Sequence, residues 1–260
     1  TEAGSGRRVT LVESSPRDQL QPKTSSHFYL KPGDRIPLPK PHLFDTVSKK
    51  AIAVSDEMFP NPWSIGYERW SDDGKWFYFV YNQRGHTVMR LLAIEASTGR
   101  VAVVVNEECN TFFDYHSKLY VRFLEGTNEL LWMSERSGWN HLYLVNLATC
   151  TAKAVTSGPW VVRGVDRVDE KRREVWFRAL GVHPNQDPYH VHYCRINLDG
   201  SGFTTLTDGD GTHTAEFSPD RRFLIDTHSR VDLPPVTELR RTSDGSKLCD
   251  LEKADDTELL

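Results

Sequence analysis

Short apolar runs recur along the chain at a regular interval, and each of them follows a polar turn. The two clearest turns, WSDDGKW at 70–76 and FSPDRRF at 217–223, share the order aromatic, Ser, any, Asp, any, base, aromatic. They lie 147 residues apart, which is three periods of 49, and weaker copies begin at 123 and 168, near the two intermediate positions. An interval of this length indicates a chain built from repeated structural units.

Each unit also contains a second pair of strands in phase with the first pair. Four segments consist of a strand, a short turn rich in Gly, Ser or Thr, and another strand: 89–105, 141–156, 194–207 and 236–252. The sequences VTSG (155–158) and LTDG (206–209) recur 51 residues apart, where one unit passes to the next. Four short antiparallel strands in each repeat of roughly 50 residues are typical of a β-propeller blade.

The pattern therefore predicts an all-β fold, a β-propeller with about five four-stranded blades. A disordered terminus at 1–6 precedes the propeller domain at 7–255, whose blades are assigned to residues 7–60, 61–108, 109–158, 159–209 and 210–255. The first blade carries an insertion at 21–41, because the five prolines of that stretch suit neither a helix nor a central strand. The C-terminal DLEKADDTELL (250–260) is the only candidate helix.

Composition narrows the class of protein. Hydrophobic residues make up 38% of the 260 residues and charged residues 26%, which is typical of a soluble globular protein. The net charge of −4 argues against nucleic acid or an anionic membrane as a partner. No segment approaches the roughly 20 apolar residues of a membrane span, and the first residues lack the apolar run of a signal peptide. A start at Thr1 indicates a mature form or an excised segment, so these features leave the localisation open.

The cysteines are widely spaced and form no C-x-x-C pair. They are Cys109, Cys150, Cys194 and Cys249. This spacing excludes a compact zinc ribbon and a thioredoxin-type motif. We interpret them as four unrelated thiols in or near strands, and the sequence leaves disulfides open.

The stretch SERSGWNHLYLVNL (134–147) contains the residue types of a hydrolase site. Ser134 and Ser137 are potential nucleophiles, Glu135 is an acid, and His141 is a potential base. A serine nucleophile on an α/β-hydrolase scaffold needs the turn G-x-S-x-G, which occurs nowhere in the chain. We therefore interpret the first half of the stretch as a turn and the second half as a buried strand, and we predict no catalytic residue in the chain.

Two sets of residues have the chemistry of a metal site. His190, His192 and Cys194 alternate in YHVHYC, so a strand would point all three to one face, where they could bind zinc or copper. A second set of aspartates lies beside glycines but lacks the spacing of a calcium loop. These aspartates are Asp208, Asp210 and Asp220. A blade strand and ordinary turns explain both sets better, so we predict no metal and no cofactor.

Tryptophans recur in phase with the repeat, and most of them are expected to pack between blades, with one or two at the mouth of a channel. They include Trp70, Trp132, Trp139, Trp160 and Trp176. Adjacent acidic pairs such as Glu107 and Glu108 would point to opposite faces of a strand, which is a poor start for acid and base catalysis. We assign no catalytic role to them.

Several longer blocks of sequence occur in a fixed order along the chain. The main ones are WMSERSGWNHLYLVNL, VTSGPWVVRGVD and GTHTAEFSPDRRFLIDTHSRVDLPPVTELRR, and SPRDQLQPK, YLKPGD and VYNQRGH precede them. Together, over about residues 7–255, they resemble the propeller domain of bacterial dipeptidyl peptidase IV-like serine peptidases of the prolyl oligopeptidase group. The resemblance implies a two-domain enzyme, in which an eight-bladed propeller covers a C-terminal α/β-hydrolase domain with the catalytic Ser, Asp and His. That second domain is not part of this chain.

The resemblance also implies partners and a role. In the family's dipeptidyl peptidases, a paired-glutamate motif and a propeller arginine hold the substrate, but neither matches a position here, so dipeptidyl specificity is not carried over. The implied partners are the hydrolase domain and a peptide, in a periplasmic or secreted location. Such a propeller would admit small or unfolded peptides and exclude folded proteins. Phe113, Tyr115 and Arg136 lie in loops from which they could contact the peptide.

Two other functions stay open on the sequence alone. The chain could be a free-standing TolB-like propeller that acts as a protein-interaction scaffold, or an independent propeller enzyme with a metal at 189–194. A propeller cut from a larger ring would leave two uncovered faces. We therefore expect a homodimer or aggregation, unless five blades close a ring by themselves.

Overall fold

A computed structural model describes residues 6–255 and 257 of the chain. These residues form twenty β-strands and no helix, which confirms the predicted all-β class. Two compact units divide the chain, residues 1–110 and residues 111–260. In the part of the chain that the structure describes, no helix is long and apolar enough to cross a membrane.

The first unit contains one four-stranded antiparallel sheet in which the strands follow chain order. Its strands are β5 (Pro62–Trp70), β6 (Trp76–Gln83), β7 (Val88–Glu95) and β8 (Val101–Glu108). β6 and β7 are almost entirely buried, as their continuous apolar sequences require. Phe59 packs against this sheet in a core with Phe79, Tyr81, Leu92 and Ile94.

Residues 7–60 differ from the single four-stranded blade that the sequence indicates. They form two separate hairpins, β1 (Arg7–Glu13) with β2 (Lys23–Tyr29) and β3 (Leu43–Asp45) with β4 (Lys50–Ile52). The prolines between β2 and β3 explain the break, because proline has no backbone N–H to donate to a sheet. Almost every side chain of β1 and β2 is exposed.

The second unit contains three four-stranded antiparallel sheets, each again in chain order. The first consists of β9 (Val121–Phe123), β10 (Glu129–Ser134), β11 (His141–Asn146) and β12 (Thr151–Ala154). The second consists of β13 (Val161–Asp169), β14 (Glu174–Leu180), β15 (Val191–Asn197) and β16 (Thr204–Thr205). The third consists of β17 (Thr212–Phe217), β18 (Phe223–Arg230), β19 (Leu233–Arg241) and β20 (Lys247–Lys253).

The core of the second unit lies between its sheets. Leu131 and Leu142 of the first sheet pack with Val175 and Phe177 of the second, and all four are buried completely. A smaller cluster, which includes Trp176 and Leu224, joins the second sheet to the third. Sheets whose middle strands are apolar on both sides must be covered on both sides, which is the stacking of propeller blades.

The repeated turn has the same hydrogen bonds in both clear copies. Ser71 Oγ accepts a hydrogen bond from the Trp76 N–H at 2.9 Å and donates one to Asp73 at 2.7 Å. Ser218 does the same with the Phe223 N–H at 3.1 Å and with Asp220 at 2.7 Å. The Ser71 hydroxyl, Lys75 and a backbone N–H lower the pKa of Asp73 to about 2. The Ser-x-Asp signature is therefore a turn that closes the first hairpin of a blade.

Two predictions concern the chain ends. The expected C-terminal helix at 250–260 is wrong at its start, because residues up to Lys253 belong to β20, which pairs with β19. Residues 256 and 258–260 of that segment lie outside the described residues. Most of the expected disordered terminus, residues 1–5, also lies outside them.

Gly245→Ala tests the packing of one sheet against its neighbour. Gly245 has a φ of 75°, and a Cβ there would lie 2.3 Å from the carbonyl oxygen of Thr205 in β16. Gly74 has a similar φ of 69° but faces open space. We expect Gly74→Ala to cost about 1 kcal/mol of unfolding free energy from the left-handed backbone, and Gly245→Ala about 2 kcal/mol more from the clash. Chemical denaturation measures both, and equal losses would contradict the close approach.

Candidate functional site

Four histidines of the second unit lie ring against ring. The ring centroids of His183 and His192 are 4.4 Å apart, those of His192 and His213 are 4.6 Å apart, and those of His213 and His228 are 4.9 Å apart. His192 lies on β15, His213 on β17 and His228 on β18, so the row crosses from the second sheet to the third. We call these four residues the histidine row.

His213 is held on both sides of its ring. Its Nδ1 lies 2.7 Å from Asp226 Oδ1 and its Nε2 lies 2.7 Å from the carbonyl oxygen of Gly209. The side chains of His213 and Asp226 have no solvent exposure. Since both ring nitrogens face oxygen acceptors, neither is available to take a proton from a substrate.

Arg240 forms ion pairs with the carboxylates beside the histidine row. Its Nε lies 3.0 Å from Asp226 Oδ2, and its Nη2 lies 2.6 Å from Glu238 Oε2 and 2.7 Å from Asp208 Oδ1. Nη1 donates to the carbonyl oxygen of Gly245 at 3.0 Å. Arg240, Asp226 and Glu238 are all buried, so each charge depends on the others for its stability.

His192 is bound at both nitrogens by neutral partners. Its Nε2 donates to Gln186 Oε1 at 2.7 Å, and its Nδ1 lies 3.3 Å from Thr207 Oγ1. The Thr207 hydroxyl also accepts the backbone N–H of Tyr193 at 3.1 Å. Burial, followed by the neighbouring His213 and His183, lowers the pKa of His192 to about 3. The ring is therefore neutral at neutral pH.

The same arrangement occurs 51 residues earlier. His141 Nδ1 lies 2.9 Å from Thr156 Oγ1, which accepts the Leu142 N–H at 2.9 Å, and His141 Nε2 lies 3.0 Å from the carbonyl oxygen of Gly158. Burial lowers the pKa of His141. The recurring VTSG and LTDG sequences thus each supply a buried threonine to a histidine on the preceding sheet. We call His141 with Thr156, and His192 with Thr207, the His–Thr pairs.

The geometry separates the candidate hydrolase residues. Ser134 Oγ accepts hydrogen bonds from the N–H and the Nε of Arg136, both at 3.1 Å. Glu135 pairs with Lys118 at 2.7 Å, while the two nitrogens of His141 are used as described above. Ser137 Oγ donates to the Trp139 carbonyl. These residues stabilise a turn and do not form a proton relay.

The residues weighed as zinc or copper ligands, His190, His192 and Cys194, do not converge either. Cys194 packs in the apolar core, where burial raises the pKa of its thiol and disfavours the thiolate that would bind metal. His190 lies 3.3 Å from Asp210. A different set, His213, Asp226 and His228, could each offer one ligand atom, with these atoms within 4.8 Å of one another. A metal there would have to displace the hydrogen bond between His213 and Asp226.

Each calcium candidate has a separate partner. Asp208 binds Arg240, Asp210 binds Arg230, and Asp220 accepts from Ser218. Their carboxylates are therefore committed to three different contacts.

The three residues expected to contact a peptide have ordinary structural contacts. Arg136 lies over the ring of Tyr143, with 4.9 Å between its guanidinium carbon and the ring centroid, and Tyr115 packs against the ring of His116. Phe113 accepts the N–H of Tyr115 at its carbonyl.

The tryptophans divide into a buried and a partly exposed group. Trp132, Trp160 and Trp176 are buried, whereas Trp70 and Trp139 are nearly half exposed. All four cysteines are free, and Glu107 is buried while its neighbour Glu108 is exposed, as alternation on β8 requires.

Sequence reasoning missed the cluster of His213, Asp226 and His228. The signal that could have found it is the pairing of β17 with β18, in which His213 lies directly opposite His228. Arg240 comes from the next strand, so its approach to Asp226 depends on the register of a second pairing. Within the cluster His213 Nδ1 and Asp226 Oδ1 satisfy one another, whereas Asp226 Oδ2 and His228 Nδ1 are buried without a hydrogen-bond partner.

Thr156→Val tests the first His–Thr pair. The valine would keep the shape but leave the buried Leu142 N–H and His141 Nδ1 without their partner. We expect the unfolding free energy to fall by about 2–3 kcal/mol. The control is Thr149→Val, which removes an exposed contact to Thr151 and should change stability by less than about 0.5 kcal/mol. Equal effects of the two substitutions in urea unfolding would contradict the role given to Thr156.

The low pKa of His192 predicts a pH dependence of stability. Between pH 6.5 and about 3 the unfolded chain binds a proton at this position that the folded chain does not bind, so stability falls as the pH falls. The limiting slope for one proton is about 1.4 kcal/mol per pH unit. Burial also lowers the pKa of His141 and His228, which adds in the same direction.

Urea unfolding between pH 7.5 and pH 5 measures this slope. His192→Asn should be less stable at pH 7.5 but should have a shallower pH dependence. His116→Asn, at an exposed position, should keep the original slope. An unchanged slope in His192→Asn would show that His192 titrates normally in the folded chain.

Comparison with known proteins places this chain in a family. The family model described as the dipeptidyl peptidase IV (DPP IV) N-terminal region matches residues 6–235. Dipeptidyl peptidase 4 of Trichophyton equinum and that of Trichophyton rubrum are each 24% identical over 227 residues, which is 84% of this chain and 28% of theirs. The chain thus spans less than a third of the length of these relatives.

Solved structures have the same fold. Dipeptidyl peptidase 4 of Porphyromonas gingivalis aligns with a TM-score of 0.62 at 19% identity, over 96% of this chain and 34% of that one. A Bacteroides ovatus protein assigned as a dipeptidyl aminopeptidase IV aligns with a TM-score of 0.64 at 20% identity, over 96% and 37%. The propeller fold is therefore shown, and by its match over residues 6–235 the chain belongs to the dipeptidyl peptidase IV N-terminal region family.

Proposed function

We propose that this chain is the non-catalytic propeller domain of a dipeptidyl peptidase IV-like serine exopeptidase. The observation that carries the proposal is the family match over residues 6–235, together with relatives named dipeptidyl peptidase 4 that are about three times as long. In this proposal an α/β-hydrolase domain of the parent protein supplies the catalytic Ser, Asp and His. The propeller controls which peptides reach them.

The exposed side chains of β17, the first strand of the third sheet, support a gating role. On β17, Thr212, Thr214 and Glu216 are exposed, while the residues between them face the sheet stack. In a propeller one edge strand of each blade faces the central channel. These side chains would then meet a peptide that passes through it.

A gate needs a rigid wall, and the contacts of the second unit supply one. The His–Thr pairs fix the points where one sheet passes to the next, and Arg240 ties three carboxylates together. Rigid positioning by buried polar contacts is what holds channel-lining side chains at fixed separations. Folded proteins would be excluded by size and extended peptides admitted.

Thr214→Trp in the full-length parent protein tests the gate. The larger side chain should narrow the channel, so we expect slower cleavage of a peptide of about 30 residues than of a small Xaa-Pro-aminoacyl chromogenic substrate. The size dependence follows from steric exclusion and not from chemistry. Thr149→Trp, at an exposed turn outside the first strands, is the matched control and should leave both rates unchanged.

Two results would count against the proposal. One is turnover of the chromogenic substrate by residues 1–260 alone that is lost on mutation of one of their own side chains. The other is a parent reading frame that stops after Leu260 without a G-x-S-x-G sequence, which would favour the TolB-like scaffold instead. Equal slowing of both substrates by Thr214→Trp would contradict selection by size.

A further inference from the structure

A cleft of about 470 Å³ in the second unit collects positive charge. It lies where the turns at 169–174, 218–223 and 241–247 approach one another, at the ends of the second and third sheets. Five guanidinium groups and one carboxylate line it: Arg172, Arg195, Arg221, Arg222, Arg241 and Glu174. The local excess is four positive charges, in a chain whose net charge is −4.

Glu174 compensates only part of this charge. It lies 2.9 Å from Arg195 Nη1 and 3.8 Å from Arg172 Nη1. Within residues 6–255, no carboxylate lies within 4.0 Å of the guanidinium groups of Arg221, Arg222 or Arg241. Three cations therefore share one concave surface without an ion-pair partner, which is unfavourable unless an anion is bound there.

Arg221 is the most constrained of the three. It has a φ of 58°, a left-handed conformation that arginine rarely adopts. Its guanidinium carbon lies 4.3 Å from the ring centroid of Phe217 and 5.7 Å from that of Trp176. One of its nitrogens, Nη1, is buried and has no hydrogen-bond partner. Burial and the neighbouring Arg167 lower the pKa of Arg221 by more than the carboxylate of Asp166 raises it.

We propose that this cleft binds a divalent tetrahedral oxyanion, phosphate or sulfate. Guanidinium groups bind such anions through paired N–H···O hydrogen bonds. Arg221 and Arg222 belong to the turn between β17 and β18, and Arg241 is the last residue of β19, so their donors reach the cleft from two sides. A tetrahedral anion presents acceptors in several directions and can bind both sides at once, whereas a single planar carboxylate presents them in one plane. This site is separate from the proposed peptide gate and does not depend on it.

Thermal unfolding in the presence of inorganic phosphate, sulfate or chloride at equal ionic strength tests the site. At low millimolar concentrations, where the general stabilising effect of these salts is small, phosphate and sulfate should raise the unfolding temperature of the native chain and chloride should not, because a specific ligand stabilises through binding. Isothermal titration with phosphate then gives the dissociation constant. In the double variant Arg222→Gln, Arg241→Gln we expect binding to weaken about tenfold or more, as the loss of charged hydrogen bonds requires.

The control is Arg17→Gln, Arg163→Gln, which removes the same charge from two exposed positions and should keep the phosphate affinity. Equal effects of chloride and phosphate on the native chain would overturn the proposal without any variant. Equal weakening in both double variants would also overturn it, because net charge and not the cleft would then explain binding. Tighter binding of an oligoglutamate peptide than of phosphate would also overturn the proposal, because the cleft would then select carboxylates and not a tetrahedral anion.

Discussion

Two buried threonine hydroxyls hold the second unit together where its sheets meet. When the chain leaves the outer strand of one sheet to begin the next, a backbone N–H of the preceding hairpin loses its ladder partner. Thr156 supplies a hydroxyl to Leu142 and Thr207 supplies one to Tyr193. Each hydroxyl also contacts a histidine ring. If either hydroxyl were absent, the junction would bury an unsatisfied backbone N–H, which would destabilise the second unit.

The sequence was most informative where local and repeated patterns coincide. The turn WSDDGKW could be recognised because its Ser, Asp and backbone contacts lie within six residues of one another, and the same turn returns at 217–223. Residues 7–60 could not be assigned correctly, because their strands are mostly exposed and have little apolar patterning to fix a partner. A hairpin that buries almost nothing leaves almost no sequence signal.

The buried polar site was only partly predictable for a related reason. The 51-residue recurrence of VTSG and LTDG marked the junctions, although not the histidines that bind there. His213, Asp226 and Arg240 come from three successive strands, and their contacts depend on two registers at once. A register is set by the whole hydrophobic pattern of a sheet, and a shift of one residue would send each side chain to the other face. No local motif records such a contact.

Two groups of charges, in the third sheet and at its junction with the second, are arranged in opposite ways. Around Arg240, the buried guanidinium lies at ion-pair distances from the buried Asp226 and Glu238 and from the exposed Asp208, and these contacts add rigidity. Around Arg221, cations converge on an open cleft with aromatic rings beneath them and too few carboxylates. A fold that places three acids around Arg240 could place one at ion-pair distance from Arg221 as well. The uncompensated positive charge around Arg221 therefore distinguishes this cleft, as a ligand site, from the structural ion pairs around Arg240.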